Sequence, residues 1–434
     1  MQESEAARPS GPTRTRYWVI VFAITLAIIT YVDRVCMSQA KPDIQGAFAL
    51  TDKQMGLVFS VFGLAYALFE IPMGWLGDRG GPRRILMKVV VLWSVFTAAT
   101  GVATNYVSLL VYRFLFGLGE AGAFPNITKI FTLWLPAVER VRAQGIMWMS
   151  ARWAGAFTPL LVVWMIGIMG WRWTFVCFGM VGVVWAVIFY RWFRDNPRDH
   201  PSINQAELAL IGTPEANLAG HAAVPWKRFL WNRTVWMLWL QYFCMAYGWY
   251  FYITWLPTYL REARQLDVGK SALLAGLPLF FGGIGCLVSG LILNHVARWL
   301  KSTAAARRFM AYFGLTGAGV MFVLAAYLEN PVLAMIAMGL SSFGNDLVMP
   351  GAWGACMDVG GKFAGSLSGS MNMMGNFAGF LAPMLLPWIR EAAGGRWEPI
   401  FWVSGIIYLI GAISWVFIDP VTPLDRDEPS RATG

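Results

Sequence analysis

Five ionisable residues stand in stretches of sequence that are otherwise almost wholly apolar: Asp33 and Arg34 in Tyr31-Val32-Asp33-Arg34, Arg113 and Glu120 in a second stretch, and Arg152 in Met149-Ser150-Ala151-Arg152-Trp153. Charges in such surroundings cost roughly 2.5–3.5 kcal/mol each on insertion scales, so they persist where they have a partner or a task. Arginine is a planar fork, charged at any working pH, that grips a carboxylate through two parallel hydrogen bonds. Asp33 and Glu120 are groups able to take up and release protons. Arg113 and Glu120 are separated by seven positions, which puts both on one helical face about 10 Å apart along the axis. Asp33 and Arg34 are adjacent and diverge by about 100°, so they need not pair with each other. Three arginines against two carboxylates leave one positive charge over, which suits an anion. The bland alternative is a set of structural ion pairs that serve specificity without chemistry.

Other patterns carry less. Tyr66, Tyr252 and Trp353 are candidates to border the same site, because sugars stack on aromatic faces, while most of the aromatics read as an interfacial belt. Gly117-Leu118-Gly119-Glu120-Ala121-Gly122 matches a dinucleotide fingerprint, but it lies inside an apolar segment with no strand before it, and its glycines read as helix-packing residues. The three histidines, His200, His221 and His295, fall in loops or at segment ends, which leaves an intramembrane enzyme without a base or ligand set. The five cysteines are scattered singly, with no C-x-x-C pair, and read as packing residues rather than a disulfide or metal framework.

The elements that must hold these charges are membrane helices. Of 434 residues 57% are hydrophobic and only 13% charged, about half the charge of an ordinary soluble domain. Twelve apolar segments, each long enough for the roughly 20 residues of a helical crossing, run between 17 and 418. They divide six and six about a polar stretch, Arg194 to Asn232, that contains Asn196-Pro197, His200-Pro201 and Thr213-Pro214 and reads as a linker. The expected organisation is a polar tail 1–16, a six-helix bundle 17–193, a linker 194–232, a second bundle 233–418 and a tail 419–434. The apolar run after Arg14 and Arg16 has no small-residue cleavage site and reads as a retained first helix. The net charge of +10 comes from short Lys/Arg clusters between segments, which fits topology rather than nucleic acid and puts both termini in the cytoplasm. Two such halves predict a site between them near the midplane, reached from each side in turn.

Several motifs then resemble a known group. Gly74-Trp75-Leu76-Gly77-Asp78-Arg79-Gly80-Gly81-Pro82-Arg83-Arg84 looks like the signature loop of the major facilitator superfamily, in which Asp78 and Arg79 are gating candidates; the matching stretch of the second half has Asn294 in place of the aspartate. Arg113-Phe114-Leu115-Phe116-Gly117-Leu118-Gly119-Glu120-Ala121-Gly122-Ala123-Phe124-Pro125 resembles the fourth helix of the anion:cation symporter family, which includes bacterial hexuronate, glucarate and galactonate transporters and the sialin and vesicular glutamate carriers. Agreement extends to Tyr31-Val32-Asp33-Arg34, Asn196-Pro197-Arg198-Asp199-His200-Pro201, Trp255-Leu256-Pro257-Thr258-Tyr259-Leu260 and Ser368-Gly369-Ser370-Met371-Asn372-Met373-Met374-Gly375-Asn376, nearly the whole chain.

The resemblance implies an all-α fold of twelve helices in two pseudo-symmetric bundles. Asp33 and Glu120 would couple protons, and Tyr31, Arg34, Tyr66, Arg113, Trp353 and Asn372 would bind the sugar acid or shape its pocket. Two residues depart from it. Arg152 stands near a position where the galactonate-type members use a glutamine, which suggests a second carboxylate or a more acidic cargo. Glu70, where relatives often have glutamine, reads as the partner of a loop arginine, or else as a third titrating group. The function expected is proton-coupled import of an organic anion, a sugar acid such as a hexuronate, aldonate or aldarate, through the bacterial inner membrane. The alternatives are a carrier of aromatic or dicarboxylic acids, an exporter, or a sensor that moves nothing. No cofactor or metal is expected; the proton is the coupling ion, with sodium left open. The partners are the small anion and membrane lipid, not nucleic acid, and a monomer suffices.

Overall fold

The computed structural model describes residues 11–212, 226–360 and 364–424. The side chains of a few helical residues, Asp78 and Arg79 among them, lie outside the described set, so the gating expectation made for those two is not addressed by the fold. In chain order the helices are α1 (Tyr17–Gln39), α2 (Lys41–Phe48), α3 (Asp52–Gly80), α4 (Pro82–Gly101), α5 (Tyr106–Glu120), α6 (Ala123–Trp134) and α7 (Ala137–Trp192), then α8 (Gln205–Ile211) and α9 (Trp226–Trp231) in the connecting region. They continue as α10 (Arg233–Thr254), α11 (Leu256–Glu262), α12 (Val268–Trp299), α13 (Thr303–Tyr327), α14 (Pro331–Gly360), α15 (Ala364–Ala392) and α16 (Glu398–Ser414).

Among the described residues nine helices are long and apolar enough to cross a membrane. One of them holds two crossings, because α7 leaves helical geometry at Gly170 (φ 75°, ψ 163°), a conformation open to glycine and costly for any residue with a Cβ. Two more long helices, α10 and α15, complete the twelve. Their sequences explain why they are the least apolar: α10 is rich in Trp and Tyr and carries Gln241, and α15 carries Ser, Asn, Gly and two prolines. Both face the interior site described below.

Local chemistry sets the ends and bends. A capping box of Thr51 with Gln54 opens α3, and Asp267 caps α12 by accepting from the Lys270 amide at 2.9 Å. The turn from α3 to α4 passes through Gly81 at φ 77°, with Pro82 at the first helical position. Inside α15, Pro387 cannot donate to the carbonyl of Pro383; the indole of Trp255 donates to that oxygen instead, at 3.3 Å.

Small residues let the helices approach. A Cβ added to Gly119 would lie 2.8 Å from the Trp93 backbone nitrogen, and one on Gly117 would collide with the Phe62 carbonyl. The glycines of the nucleotide-like motif are therefore packing residues, as their apolar setting suggested.

The two bundles meet along α3 with α15 and α7 with α12. At one end an ion-pair network joins them: Arg390 reaches Asp52 at 3.4 Å and Lys53 pairs with Glu391 across the seam, while Lys41 holds Asp52 at 2.8 Å and Arg390 holds Glu262 at 2.6 Å within the separate halves. Lys41 is buried, with its ammonium 4.6 Å from the Trp255 ring, and burial lowers its pKa against the raising effect of Asp52. Deeper along the same seam, a Cβ on Gly63 would stand 2.6 Å from the Gly379 carbonyl carbon. Toward the opposite end, Gly145, Gly290 and Gly369 face open space. That end carries the N-terminal tail, where Arg16 joins Glu139 at 3.1 Å and Glu207 of α8 at 3.0 Å.

A cavity between the bundles with two engaged arginines

A cavity of about 60 Å³ lies between the halves. Tyr31 and Arg34 reach it from α1, Trp148 and Arg152 from α7, Tyr242, Trp249 and Tyr250 from α10, Asn345 and Met349 from α14, and Asn372 and Asn376 from α15. Four residues singled out in the sequence thus meet here: Tyr31, Arg34, Arg152 and Asn372.

Each arginine holds a carboxylate. The Arg34 Nε donates to Glu120 Oε1 at 2.6 Å, and its guanidinium sits among the rings of Tyr66, Phe62 and Tyr31 at 5.0, 5.2 and 5.7 Å. Arg152 binds Asp346 with both prongs, Nε to Oδ2 at 2.7 Å and Nη2 to Oδ1 at 2.9 Å. Its third nitrogen, Nη1, donates to the Tyr31 hydroxyl at 2.9 Å, and its guanidinium lies 4.6 Å from the Trp249 ring. Both acids are fully buried, where charge-assisted bonds are strong and an unpaired charge is costly.

Behind this layer stand the other polar groups. Asp33 is buried, accepts from Thr97 at a long 3.4 Å, and has its second oxygen without a hydrogen-bond partner. Arg113 forms no ion pair among the described residues; its guanidinium rests on Phe116 at 4.7 Å and Phe62 at 5.2 Å. Glu120 Oε2 and the Tyr66 hydroxyl are also unpartnered. Arg113 and Tyr66 therefore back the cavity rather than line it. Trp353 does the same, with its ring 6.1 Å from both Trp148 and Tyr242.

Three expectations need correction. Tyr252 is not at the cavity: its hydroxyl donates to the Met338 carbonyl at 3.3 Å and its ring packs on Phe322, inside the second bundle. Its place on α10, two residues beyond the lining Tyr250, turns it about 200° round the helix from that residue. Among the described residues Glu70 is not paired with a loop arginine. It accepts from Asn372 and Asn376 of α15 across the bundle seam, while Arg83 of the loop spends its side chain on the Tyr190 carbonyl and its amide on Asp195. The charge count changes as well. The second half supplies Asp346, and with Glu70 the acids at and behind the cavity number four, Asp33, Glu70, Glu120 and Asp346, against the three guanidiniums of Arg34, Arg113 and Arg152. An excess of positive charge is absent unless carboxylates are protonated.

Asp346 was missed because it stands alone in its segment, and the reading weighted clusters. The signal was present: one acid in Ser341-Ser342-Phe343-Gly344-Asn345-Asp346, deep in a span, is a functional candidate by position alone. Pro350, four residues on, cannot donate to the Asp346 carbonyl, so α14 is free to bend at the residue that carries the acid.

Residues 23–383 match the model of the Major Facilitator Superfamily. The chain belongs to that superfamily. This facilitator is a multi-pass membrane transporter, not an enzyme. It is 35% identical to a probable sulfoacetate transporter of Cupriavidus necator, with 97% of each chain covered. It is 30% identical to a D-galactonate transporter of Escherichia coli over 94% of this chain and 96% of that one, and 30% identical to a probable galactarate/D-glucarate transporter of Escherichia coli over 94% of each. In fold it is similar to a crystal structure of a bacterial homologue of the human lysosomal transporter Spinster, with a TM-score of 0.73 at 19% identity, covering 94% of this chain and 98% of that one.

Proposed function

We propose that this facilitator is a proton-coupled symporter that imports a small organic anion, a sugar acid or a related carboxylate, through the bacterial cytoplasmic membrane. The observation that carries the reading is the Arg34–Glu120 pair at the cavity, 2.6 Å apart and buried. With Glu120 ionised, Arg34 is already satisfied and an anion gains little there. A proton on Glu120 weakens that hold and frees the guanidinium for the anion's carboxylate. Anion and proton then bind together or not at all, which is the requirement for symport. Asp33, with one oxygen unpartnered beside Arg113, relays that same proton within the first bundle, so the bundle loads one proton per cycle.

The relatives, a D-galactonate transporter and probable sulfoacetate and galactarate/D-glucarate transporters, support an organic anion as cargo. The Lys/Arg distribution supports a cytoplasmic N-terminal tail and linker; in that orientation the ion-paired end faces outward and the conformation is inward-facing. Import then requires the Lys41, Asp52, Glu262 and Arg390 network to open and the opposite ends of α7, α12 and α15 to come together, by rocking one bundle against the other. A proton moved with each monoanion cancels its charge, which otherwise costs about 2.3 kcal/mol per 100 mV against an inside-negative potential. A single chain supplies both walls of the cavity.

The test is uptake into proteoliposomes of labelled galactonate, glucuronate, glucarate, sulfoacetate and benzoate, with an inward proton gradient, a sodium gradient or none. Proton-stimulated uptake of at least one organic acid, lost in Glu120→Gln and in Asp33→Asn, is expected. Uptake that ignores the proton gradient, or keeps its pH dependence in both variants, sinks the coupling assignment.

A further inference from the structure

The pair formed by Arg152 and Asp346 has no part in the exchange just described, yet it repeats its logic across the seam between the bundles. We propose that Asp346 is a second proton-exchanging carboxylate, which yields the Arg152 fork to the second acid group of a short dianionic cargo. This rests on the reading of the cavity as a proton-coupled organic-anion site.

Two observations join here. Arg34 and Arg152 line one small cavity, so a single bound molecule can face both guanidiniums. Asp346 grips Arg152 with both oxygens, the geometry that a ligand carboxylate or sulfonate would itself adopt. The side chain of Asp346 therefore fills the subsite that a second acid group needs. Its other close neighbour is Asn345, whose amide donates to Oδ1 at 3.0 Å and whose own oxygen has no partner.

The groups that face Asp346 define what can happen when the cargo arrives. Arg152 comes from α7 and Tyr31 from α1; Cys286 of α12, Tyr252 of α10 and Tyr408 of α16 act on it from the remaining sides. Arg152 is the one cation among these neighbours. Once its fork turns to the cargo, an ionised Asp346 would be a buried charge without a counterion, the costliest state available to it. A proton on Asp346 removes that charge.

The balance closes. A dianion takes both forks, Glu120 and Asp346 each take one proton, and no net charge crosses. On release the two carboxylates give up their protons and recover their arginines. The pair also spans the bundles, from α7 to α14, so its breaking is tied to their motion. The cavity suits a short cargo: about 60 Å³ is a few times the 10–15 Å³ that one water centre requires.

The full-length protein in proteoliposomes provides the test. Probes are labelled sulfoacetate, unlabelled malonate and glycolate as competitors, and a pH-sensitive dye inside the vesicles. The wild type is expected to carry two protons per sulfoacetate, to ignore an imposed membrane potential, and to be inhibited by malonate at least about tenfold more tightly than by glycolate, a difference of one acid group. In Asp346→Asn the ratio is expected to fall to one and uptake to become potential-dependent. Should that variant fail to fold, R152Q/D346N, which removes both charges, is expected to lose the diacid preference in ligand-induced thermal shifts. A ratio unchanged in Asp346→Asn, or a diacid preference that survives in the double variant, overturns the proposal. Galactonate carried with protons while sulfoacetate and malonate neither move nor compete overturns it and leaves the general symport reading standing. No proton-stimulated uptake of any anion overturns both.

Discussion

The two arginine–carboxylate pairs of the cavity look alike in chemistry and differ in placement. Arg34 and Glu120 both belong to the first bundle, on α1 and α5, whereas Arg152 on α7 reaches Asp346 on α14 of the second. A pair within one rigid bundle keeps its geometry while the bundles rock, so protonation or ligand alone decides whether it breaks. A pair across the seam is strained by the motion itself, so it reports and resists the change of state. In the proposed cycle one arrangement senses the cargo, and the other ties sensing to movement.

The largest effect is expected from Arg34→Gln. It leaves Glu120 as a buried charge without its counterion, a loss of about 3–5 kcal/mol by analogy with other buried pairs broken on one side, and uptake should fall below detection. Thermal unfolding and proteoliposome uptake check it together. Retained uptake would mean that Arg113 can substitute for Arg34.

Next comes a double-mutant cycle across the seam. Arg152→Gln and Asp346→Asn each strand a charge and should lower thermal stability, whereas R152Q/D346N should recover part of the loss, with a coupling of about 0.5–3 kcal/mol. Additive losses would mean that the two do not act as a pair in the membrane.

A smaller effect is expected at the seam's backbone contact. Gly63→Ala places a methyl group 2.6 Å from the Gly379 carbonyl carbon in the conformation seen here. Overpacking of that kind costs typically about 1–3 kcal/mol, paid by this conformation and not by one in which α3 and α15 separate at this end. Spin labels at Val107 and Val268, both exposed on that end of opposite bundles, should move apart in the variant. Unchanged distances would show that the contact relaxes without opening.

The smallest effect is expected from Glu70→Gln. Asn372 and Asn376 donate to different oxygens of Glu70, so the glutamine keeps one of the two bonds and the change should stay within about 0.5–1.5 kcal/mol, the worth of one hydrogen bond, and leave the pH profile of uptake unmoved. A displaced pH profile would make Glu70 a titrating member of the site.

Much of this was legible before any coordinates. Membrane insertion is a local property, since each crossing must satisfy its own backbone within one helix, so the apolar segments and the polar stretch between halves could be read directly. Asp33, Arg34, Arg113, Glu120 and Arg152 were found because charges grouped in the apolar segments of one half are conspicuous, whereas the lone Asp346 was passed over. Tyr252 was misplaced because an aromatic among aromatics carries no such signal; α10 alone has Tyr242, Tyr247, Trp249, Tyr250 and Tyr252, and only the rotation of the helix selects those that face the cavity.

Partnership was the part that sequence could not supply. The residues of each cross-seam contact are far apart in the chain, 194 positions for Arg152 and Asp346 and 302 for Glu70 and Asn372. Their pairing depends on which face each helix turns to the seam and on how far the bundles have closed. The sequence by itself determined a membrane-embedded, twelve-helix chain with buried charge in its first half, because hydropathy and insertion cost act within single segments. Only the tertiary structure decided that Asp346 answers Arg152, that Glu70 answers two asparagines rather than an arginine, and that the buried acids outnumber the arginines. Those facts come from packing one bundle against the other.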